Sequence, residues 1–463
     1  MPSLLPPALA HALAALLGDG WRVDAETLRR YGEDASRRGV PAAGVALPER
    51  REQVVALVHA CRTHRVPVVA RGSGTSSTGA AIPGGGAVVV GFERMARILA
   101  IDPADRIAVV EPGVLNGDLQ RALAAHGLFW PPDPASADTC TVGGNLACNA
   151  GGPRTVKYGA TRDNVLGLAA VTGTGDLVTC GSRTTKDATG YDLTHLLVGS
   201  EGTLGLIVEA TLKLAPLPSA RRSLRALYAD VAAAAAAVAR LMRQPVAPAM
   251  LEFMDRHCIR LAREVGGADI PDAGALLMIE ADGDAATVEL ATRALADAAR
   301  GPGLLALDAA PDAAASEALW AARRALSPAL RTIAAGKINE DVVVPVSRIP
   351  DLVTGVEALA AEFDLRIVAF GHAGNGNLHV NILFDPDDAA ESARARSALP
   401  RLFALTLSLG GTLSGEHGIG TAKRDFMAQA FDAPTLALMR TVKQAFDPDG
   451  ILNPGKVLPP AAA

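Results

Sequence analysis

Along the first half of the chain, short β-branched runs alternate with glycine-rich breaks: VPVVA at 66–70, AVVV at 87–90, RIAVVEPG at 106–113 and LGLIVEATLKL at 204–214. Runs of this kind, bounded by Gly, Pro and Asn, predict strands that open into loops at their ends. Residues 52–64 and 116–126 lie between them and read as helices, so the class is mixed α and β. The pattern stops at APLPS, 215–219, where two prolines end the last strand. The main domain boundary is placed there, giving units 1–217 and 218–400 and a C-terminal segment 401–463.

Beyond the break, 230–243 and 285–299 read as helices, ALLMIEADG at 275–283 as a strand, and LWAARRALSPAL as a helix opening near Ser316. Strands separated by helices predict an α+β unit with an antiparallel sheet. RIVAF and NLHVNILF flank GHAGNGN and read as antiparallel strands joined at a glycine-rich turn, which puts His372 and His379 at one end of a hairpin. The period of two places His379 and Asn381 on one face and Leu378, Val380 and Ile382 on the other.

Composition narrows the possibilities. A chain of 463 residues with 49% hydrophobic content supports two or three units. With 44 Lys and Arg against 49 Asp and Glu, a net charge of -5 offers no grip on nucleic acid or anionic lipid, and the partner is expected to be small. Five cysteines, an odd number without a C-x-x-C pair, argue against a disulfide framework and fit a reducing compartment. The opening residues lack the basic stretch of a signal peptide. The alanine-rich stretch 231–241 is shorter than the ~20 apolar residues that span a bilayer. The expectation is a soluble cytoplasmic protein, with peripheral attachment at a membrane left open.

Three glycine-rich loops carry the first candidate chemistry. RGSGTSSTGA, 71–80, offers consecutive backbone N–H groups and hydroxyls of the kind that cradle anions. It is neither a Walker A loop, lacking Gly-Lys-Ser/Thr, nor G-x-G-x-x-G, having Ser77 in the third glycine position. TVGGNLACNAGGPRTVKYGATRDN, 141–164, contributes two Gly-Gly pairs with Asn145 and Asn149 between them, and 199–205 is a further small-residue loop entering a strand. Glycines this dense cost backbone entropy unless the chain turns sharply or a ligand comes close. Three such loops in one unit suit a long ligand such as a dinucleotide.

GHAGNGNLHVN, 371–381, and SGEHGIG, 414–420, carry the second. His372, His379 and Glu416 form a two-imidazole, one-carboxylate set suited to Zn2+ or Mn2+ acting as a Lewis acid. His417 remains as a candidate general base, because a neutral imidazole titrates near working pH. Its alternative is a fourth metal ligand or a loop hydrogen-bonder. Arg323 in LWAARR is the candidate carboxylate clamp, guanidinium binding carboxylate through two parallel bonds. Lys337 in GKINEDVVVP is a second cation, Asn381 a neutral donor, and Arg324 and Arg331 read as solvated.

RGSGTS, PPDPASADTCTVGGNLACNAGG, KYGATRDNVLG, KDATGYDLTHLLVGSEGTLG, GHAGNGNLHVN, SGEHGIG and FDPDGILNPGK occur in this order over nearly the whole chain. Together they resemble the FAD-linked D-2-hydroxy acid dehydrogenases, flavoproteins of the vanillyl-alcohol oxidase type that include D-lactate, glycolate and D-2-hydroxyglutarate dehydrogenases. The resemblance implies an α+β architecture: an N-terminal FAD-binding domain, a ferredoxin-like substrate domain and a C-terminal helical segment returning to the flavin. By that likeness Arg71, Gly72, Ser73, Gly74, Thr75 and Ser76 hold the FAD pyrophosphate. Pro132, Asp133, Ser136, Thr141, Gly143, Gly144 and Asn145 line pyrophosphate and isoalloxazine, and Thr161, Glu201, Gly202, Gly205, Ile207 and Asn453 complete the cofactor contacts. Members with covalent FAD carry a linking His or Cys, and RGSGTSSTG has neither, so non-covalent FAD is expected. The positions of His372, His379 and Glu416 hold a divalent metal in the family.

The implied reaction removes the hydroxyl proton of a D-2-hydroxy acid with His417 while the C2 hydride passes to flavin N5, leaving the 2-oxo acid. The GTSSTG loop is closer to the lactate and glycolate enzymes, with D-lactate the first choice, whereas Lys337 suits a second carboxylate, as in 2-hydroxyglutarate. No C-x-x-C-H or iron–sulfur motif is present, so electrons leave to a quinone, a cytochrome, an electron-transfer flavoprotein or oxygen. A homodimer is compatible with these readings. A flavin-free metallohydrolase would use the same three ligands but would give the glycine-rich loops no role, and a non-catalytic homologue would lack ligands that are all present here.

Overall fold

The computed structural model describes residues 5–36, 39–264 and 270–460. Within this range the chain forms two compact units, one from residues 5–151, 159–217 and 416–460, the other from residues 152–158 and 218–415.

The first unit holds two principal sheets. One orders Trp21–Arg22, Gly44–Ala46, Val88–Gly91 and Val68–Arg71, its last three strands parallel. The other is antiparallel and orders Ile98–Asp102, Ile107–Val110, Leu206–Lys213, Val165–Val171 and Leu177–Gly181. The strand Val165–Val171 is buried on both faces, and its alternation serves two cores. Ala169 and Val171 join the core beneath the helices Pro7–Leu17 and Arg51–Thr63, while Leu168 and Ala170 join the core beneath Asn116–Ala124 and Val142–Cys148.

The second unit is built on one seven-stranded antiparallel sheet. Its order is Leu304–Ala309, Ala220–Tyr228, Ala275–Gly283, Met250–Asp255, Arg366–His372, Asn377–Phe384 and Gly336–Val343. Met250, Met254, Leu276, Met278 and Phe370 project from one face into a core with Cys258, Ile259, Trp320, Leu326 and Leu330, from the helices Arg256–Glu264 and Ala313–Ile333. The expected hairpin is present, with Phe370 opposite His379 and His372 opposite Asn377. The helix Ala389–Ser408 packs on Asn377–Phe384, so this unit runs past the expected break at residue 400 to Gly415.

The short segment Gly152–Tyr158 belongs to the second unit because its side chains are anchored there. Lys157 Nζ pairs with Asp282, and Tyr158 Oη donates to Asp282 Oδ2 at 2.8 Å. All five cysteines are free thiols, and Cys61, Cys140 and Cys258 are buried. Among the described residues, no helix is long and apolar enough to cross a membrane.

Candidate active site

In the second unit, strand register alone assembles a polar stripe. Directly opposed residues of antiparallel strands point to the same face, and Glu252 faces His372, Phe370 faces His379, His379 faces Asp341, and Asn381 faces Asn339. Lys337 follows on the same face as Asn339 and Asp341. Glu252, Asp341, His372, His379 and Asn381 are all buried.

Buried polar groups must be satisfied or serve a ligand. His372 Nδ1 lies 2.5 Å from Glu252 Oε1. An ionised carboxylate only accepts, so His372 donates from Nδ1, and in the neutral imidazole this leaves the lone pair on Nε2. That Nε2 is 3.4 Å from Nε2 of His379, the rings crossing at 86°. Glu252 Oε2 also pairs with Arg323 at 2.6 Å, and this guanidinium lies 4.6 Å above the Phe370 ring. Burial alone would raise the pKa of Glu252, but His372 and Arg323 together hold it down to about 2.

Arg323 is partly engaged: one terminal nitrogen pairs with Glu252, while its buried Nε has no partner among the described residues. Asn381 donates to Val368 O and His379 O, leaving its buried Oδ1 without a partner among them. Lys337 is half-buried and Arg324 exposed; the Arg331 side chain lies outside the described residues. Asp341 accepts from Ser414 Oγ at 3.1 Å and from Gly415 N at 2.8 Å, fixing the backbone one peptide bond before Glu416.

In the first unit, the loops with candidate cofactor residues are braced from below. Arg71 is turned inward, donating to Glu33 O at 2.5 Å and stacking on Tyr31, and Gly79 N donates to Asp34 Oδ2 at 2.9 Å. Ser73 and Thr75 are exposed, and Gly72 is half-buried against Thr141, where an added Cβ would meet Oγ1 at 2.4 Å. Thr141 caps the helix Val142–Cys148 by accepting from Gly144 N at 3.1 Å, and Gly143 N donates to Pro112 O at 2.8 Å. Asn145, 3% exposed, leaves Nδ2 without a partner among the described residues. Pro132 is buried and its carbonyl receives Asn116 Nδ2 at 3.0 Å, with Asp133 and Ser136 half-buried beside it.

Several expected cofactor residues are occupied within the protein. Thr161 Oγ1 donates to Ala150 O at 2.7 Å, Ile207 is part of the core, and Asn453 Nδ2 donates to Ala80 O at 2.9 Å and Glu201 O at 2.6 Å. Glu201, buried with φ 54°, accepts from Ile419 N at 2.6 Å and Gly420 N at 2.8 Å. It thereby clamps the glycine loop that carries Glu416 and His417. Burial raises its pKa, and the two amides oppose that shift. Gly202 (φ 71°) sits where a Cβ would approach that of Ala70 at 3.3 Å, and Gly205 lies against Leu197. Thr78 Oγ1 holds the loop from the other side, donating to His417 O at 3.3 Å. His417 Nε2 and Glu416 Oε1 are 4.0 Å apart.

Sequence reasoning missed Glu252, Asn339 and Asp341. For Glu252 a signal existed: a lone acid inside the apolar run AMLEFM, 249–254, implies a buried charged partner.

Two family descriptions match the chain: "FAD binding domain" over residues 42–181 and "FAD linked oxidases, C-terminal domain" over 217–457. The chain is 39% identical over 430 residues to glycolate oxidase subunit GlcD of Bacillus subtilis (strain 168), covering 92% of this chain and 91% of the relative. It is 35% identical over 444 residues to D-lactate dehydrogenase of Anaerostipes hadrus, covering 92% of each. Among solved structures, p-cresol methylhydroxylase with substrate bound superposes with a TM-score of 0.82 at 18% identity, covering 99% of both chains.

Proposed function

The chain belongs to the FAD-linked oxidoreductases of the D-2-hydroxy acid dehydrogenase family, with a vanillyl-alcohol oxidase type fold, and from that premise we propose that it oxidises D-lactate to the 2-oxo acid with the help of a divalent cation. The observation that carries the metal reading is the facing pair of imidazole nitrogens, 3.4 Å apart, one with its tautomer set by a buried carboxylate. Two nitrogens on one tetrahedral zinc at about 2.05 Å stand about 3.3 Å apart. A carboxylate behind a ligating histidine is the usual companion of such a site. His372 and His379 would hold the cation, and Glu416, the residue after the pinned Gly415, would complete the set.

The cradle fits FAD in its donor chemistry. Asn145 offers an unpartnered buried amide beside a glycine-rich turn, and the 71–79 loop contains no His or Cys, which favours non-covalent attachment. When bound, FAD supplies the hydride acceptor and Zn2+ or Mn2+ the Lewis acid. Arg323 binds the substrate carboxylate through the donor that Glu252 leaves open, Asn381 accepts from the substrate through Oδ1, and His417 takes the hydroxyl proton. Electrons then leave to a separate acceptor: a quinone, a cytochrome or an electron-transfer flavoprotein.

A second reading, D-2-hydroxyglutarate, rests on Lys337, which register places on the face of His379 and Asn381, where it would meet a distal carboxylate. Anaerobic flavin bleaching by D- and L-lactate, glycolate, malate and 2-hydroxyglutarate decides between them. D-lactate should bleach fastest and L-lactate not at all. Faster bleaching by D-2-hydroxyglutarate would transfer the assignment, and bleaching by none would end it.

A further inference from the structure

Glu252 has no solvent exposure, yet it makes two polar contacts, a hydrogen bond from His372 Nδ1 to Oε1 at 2.5 Å and an ion pair of Oε2 with Arg323 at 2.6 Å. We propose that Glu252 is a positioning residue that couples the metal-binding imidazole to the substrate-binding guanidinium. It sets the distance and angle between the two groups that one 2-hydroxy acid must bridge. This rests on the reading of His372 as a metal ligand and Arg323 as the carboxylate clamp.

The geometry favours this role over simple packing. Glu252 and His372 are opposed in strand register, so their side chains meet without help from any loop. Oε1 accepts from His372 Nδ1 while Oε2 forms an ion pair with Arg323, so one carboxylate ties a strand residue to one on the helix Ala313–Ile333. Phe370, on the same strand as His372, lies beneath the guanidinium and restricts its plane. Burying a carboxylate with a guanidinium and an imidazole is expensive in desolvation, and apolar residues of similar volume commonly serve stability as well or better. A contact kept only for packing would not need these charges. A 2-hydroxy acid presents hydroxyl and carboxylate oxygens on adjacent carbons, so its two receptors must be held in a fixed relation, and one rigid carboxylate between them provides it.

The test uses the FAD-loaded full chain, stripped of metal and titrated with Zn2+ against a chromogenic chelator. In Glu252→Gln, the single amide oxygen can serve only one of the two partners. Zinc affinity should fall about 10- to 100-fold, and KM for the 2-hydroxy acid should rise several-fold while FAD stoichiometry stays at wild-type level. The double variant Glu252→Met/Arg323→Met removes both charges and guards against a folding failure of the single variant. Its zinc affinity should fall by a similar factor, because His372 has lost its acceptor. Wild-type zinc affinity in either folded variant would overturn the proposal. A wild-type protein fully active without zinc would instead overturn the metal reading itself, and the coupling role with it.

Discussion

Glu252 and His372 stand directly opposite each other on neighbouring antiparallel strands, with Oε1 of the first 2.5 Å from Nδ1 of the second. This pair gives the site a measurable pH signature. Glu252 has its pKa held down to about 2 against an ordinary 4.5, although burial alone would raise it. The folded state therefore binds this proton less readily than the unfolded chain, and the contribution is complete above pH 4.5 and lost as pH falls from about 4.5 to about 2. Chemical denaturation should show the stability advantage of wild type over Glu252→Gln narrowing between about pH 5 and about pH 3. A difference independent of pH would contradict it.

Glu201 makes a separate prediction about the loop that carries His417. Its carboxylate receives Ile419 N and Gly420 N, both of which Glu201→Ala would leave without their acceptor. The cost is about 2–6 kcal/mol, from two orphaned amides at about 1–3 kcal/mol each. Thermal or chemical unfolding should register it, and Glu201→Gln, which keeps one acceptor oxygen, should recover part of the loss.

Removing the proposed base should leave binding intact and slow the chemistry. In anaerobic stopped flow, His417→Ala with saturating D-lactate should bleach the flavin about 10²- to 10⁴-fold more slowly than wild type. Bleaching near the wild-type rate would eliminate the assigned role.

The anchor at Asp282 concerns stability. This carboxylate is 6% exposed and takes both Lys157 and Tyr158. Asp282→Ala would leave a part-buried cation and a phenol without that acceptor and should cost about 2–4 kcal/mol, the range for lost buried charged hydrogen bonds. Denaturant unfolding monitored by circular dichroism measures it.

The legible parts of the sequence were those whose signal is local. The alternation in NLHVNILF by itself puts His379 and Asn381 on one face, and the glycine-rich loops mark where backbone must turn. Glu252 was hidden because its meaning depends on His372, 120 residues later. The strand Gly336–Val343 reads GKINEDVV, with no clean period of two, because Glu340 is buried on one face while Asp341 and the asparagine before it are turned to the other. Arg71, Thr161 and Asn453 read as ligand contacts from motif position, and in the structure Arg71 Nη1, Thr161 Oγ1 and Asn453 Nδ2 each donate to a backbone carbonyl. Composition cannot distinguish a residue that touches a cofactor from one that braces the loop doing so.

The central claim is that a divalent cation held by His372 and His379 is required for oxidation of a D-2-hydroxy acid by the bound flavin. The direct measurement is the anaerobic rate of flavin reduction by D-lactate before chelation, after chelation and after zinc is restored, in wild type and in His379→Ala. Wild type should lose the reaction on chelation and regain it with zinc, while His379→Ala keeps its FAD but stays inactive under all three conditions. Undiminished flavin reduction in metal-free wild type would contradict the account.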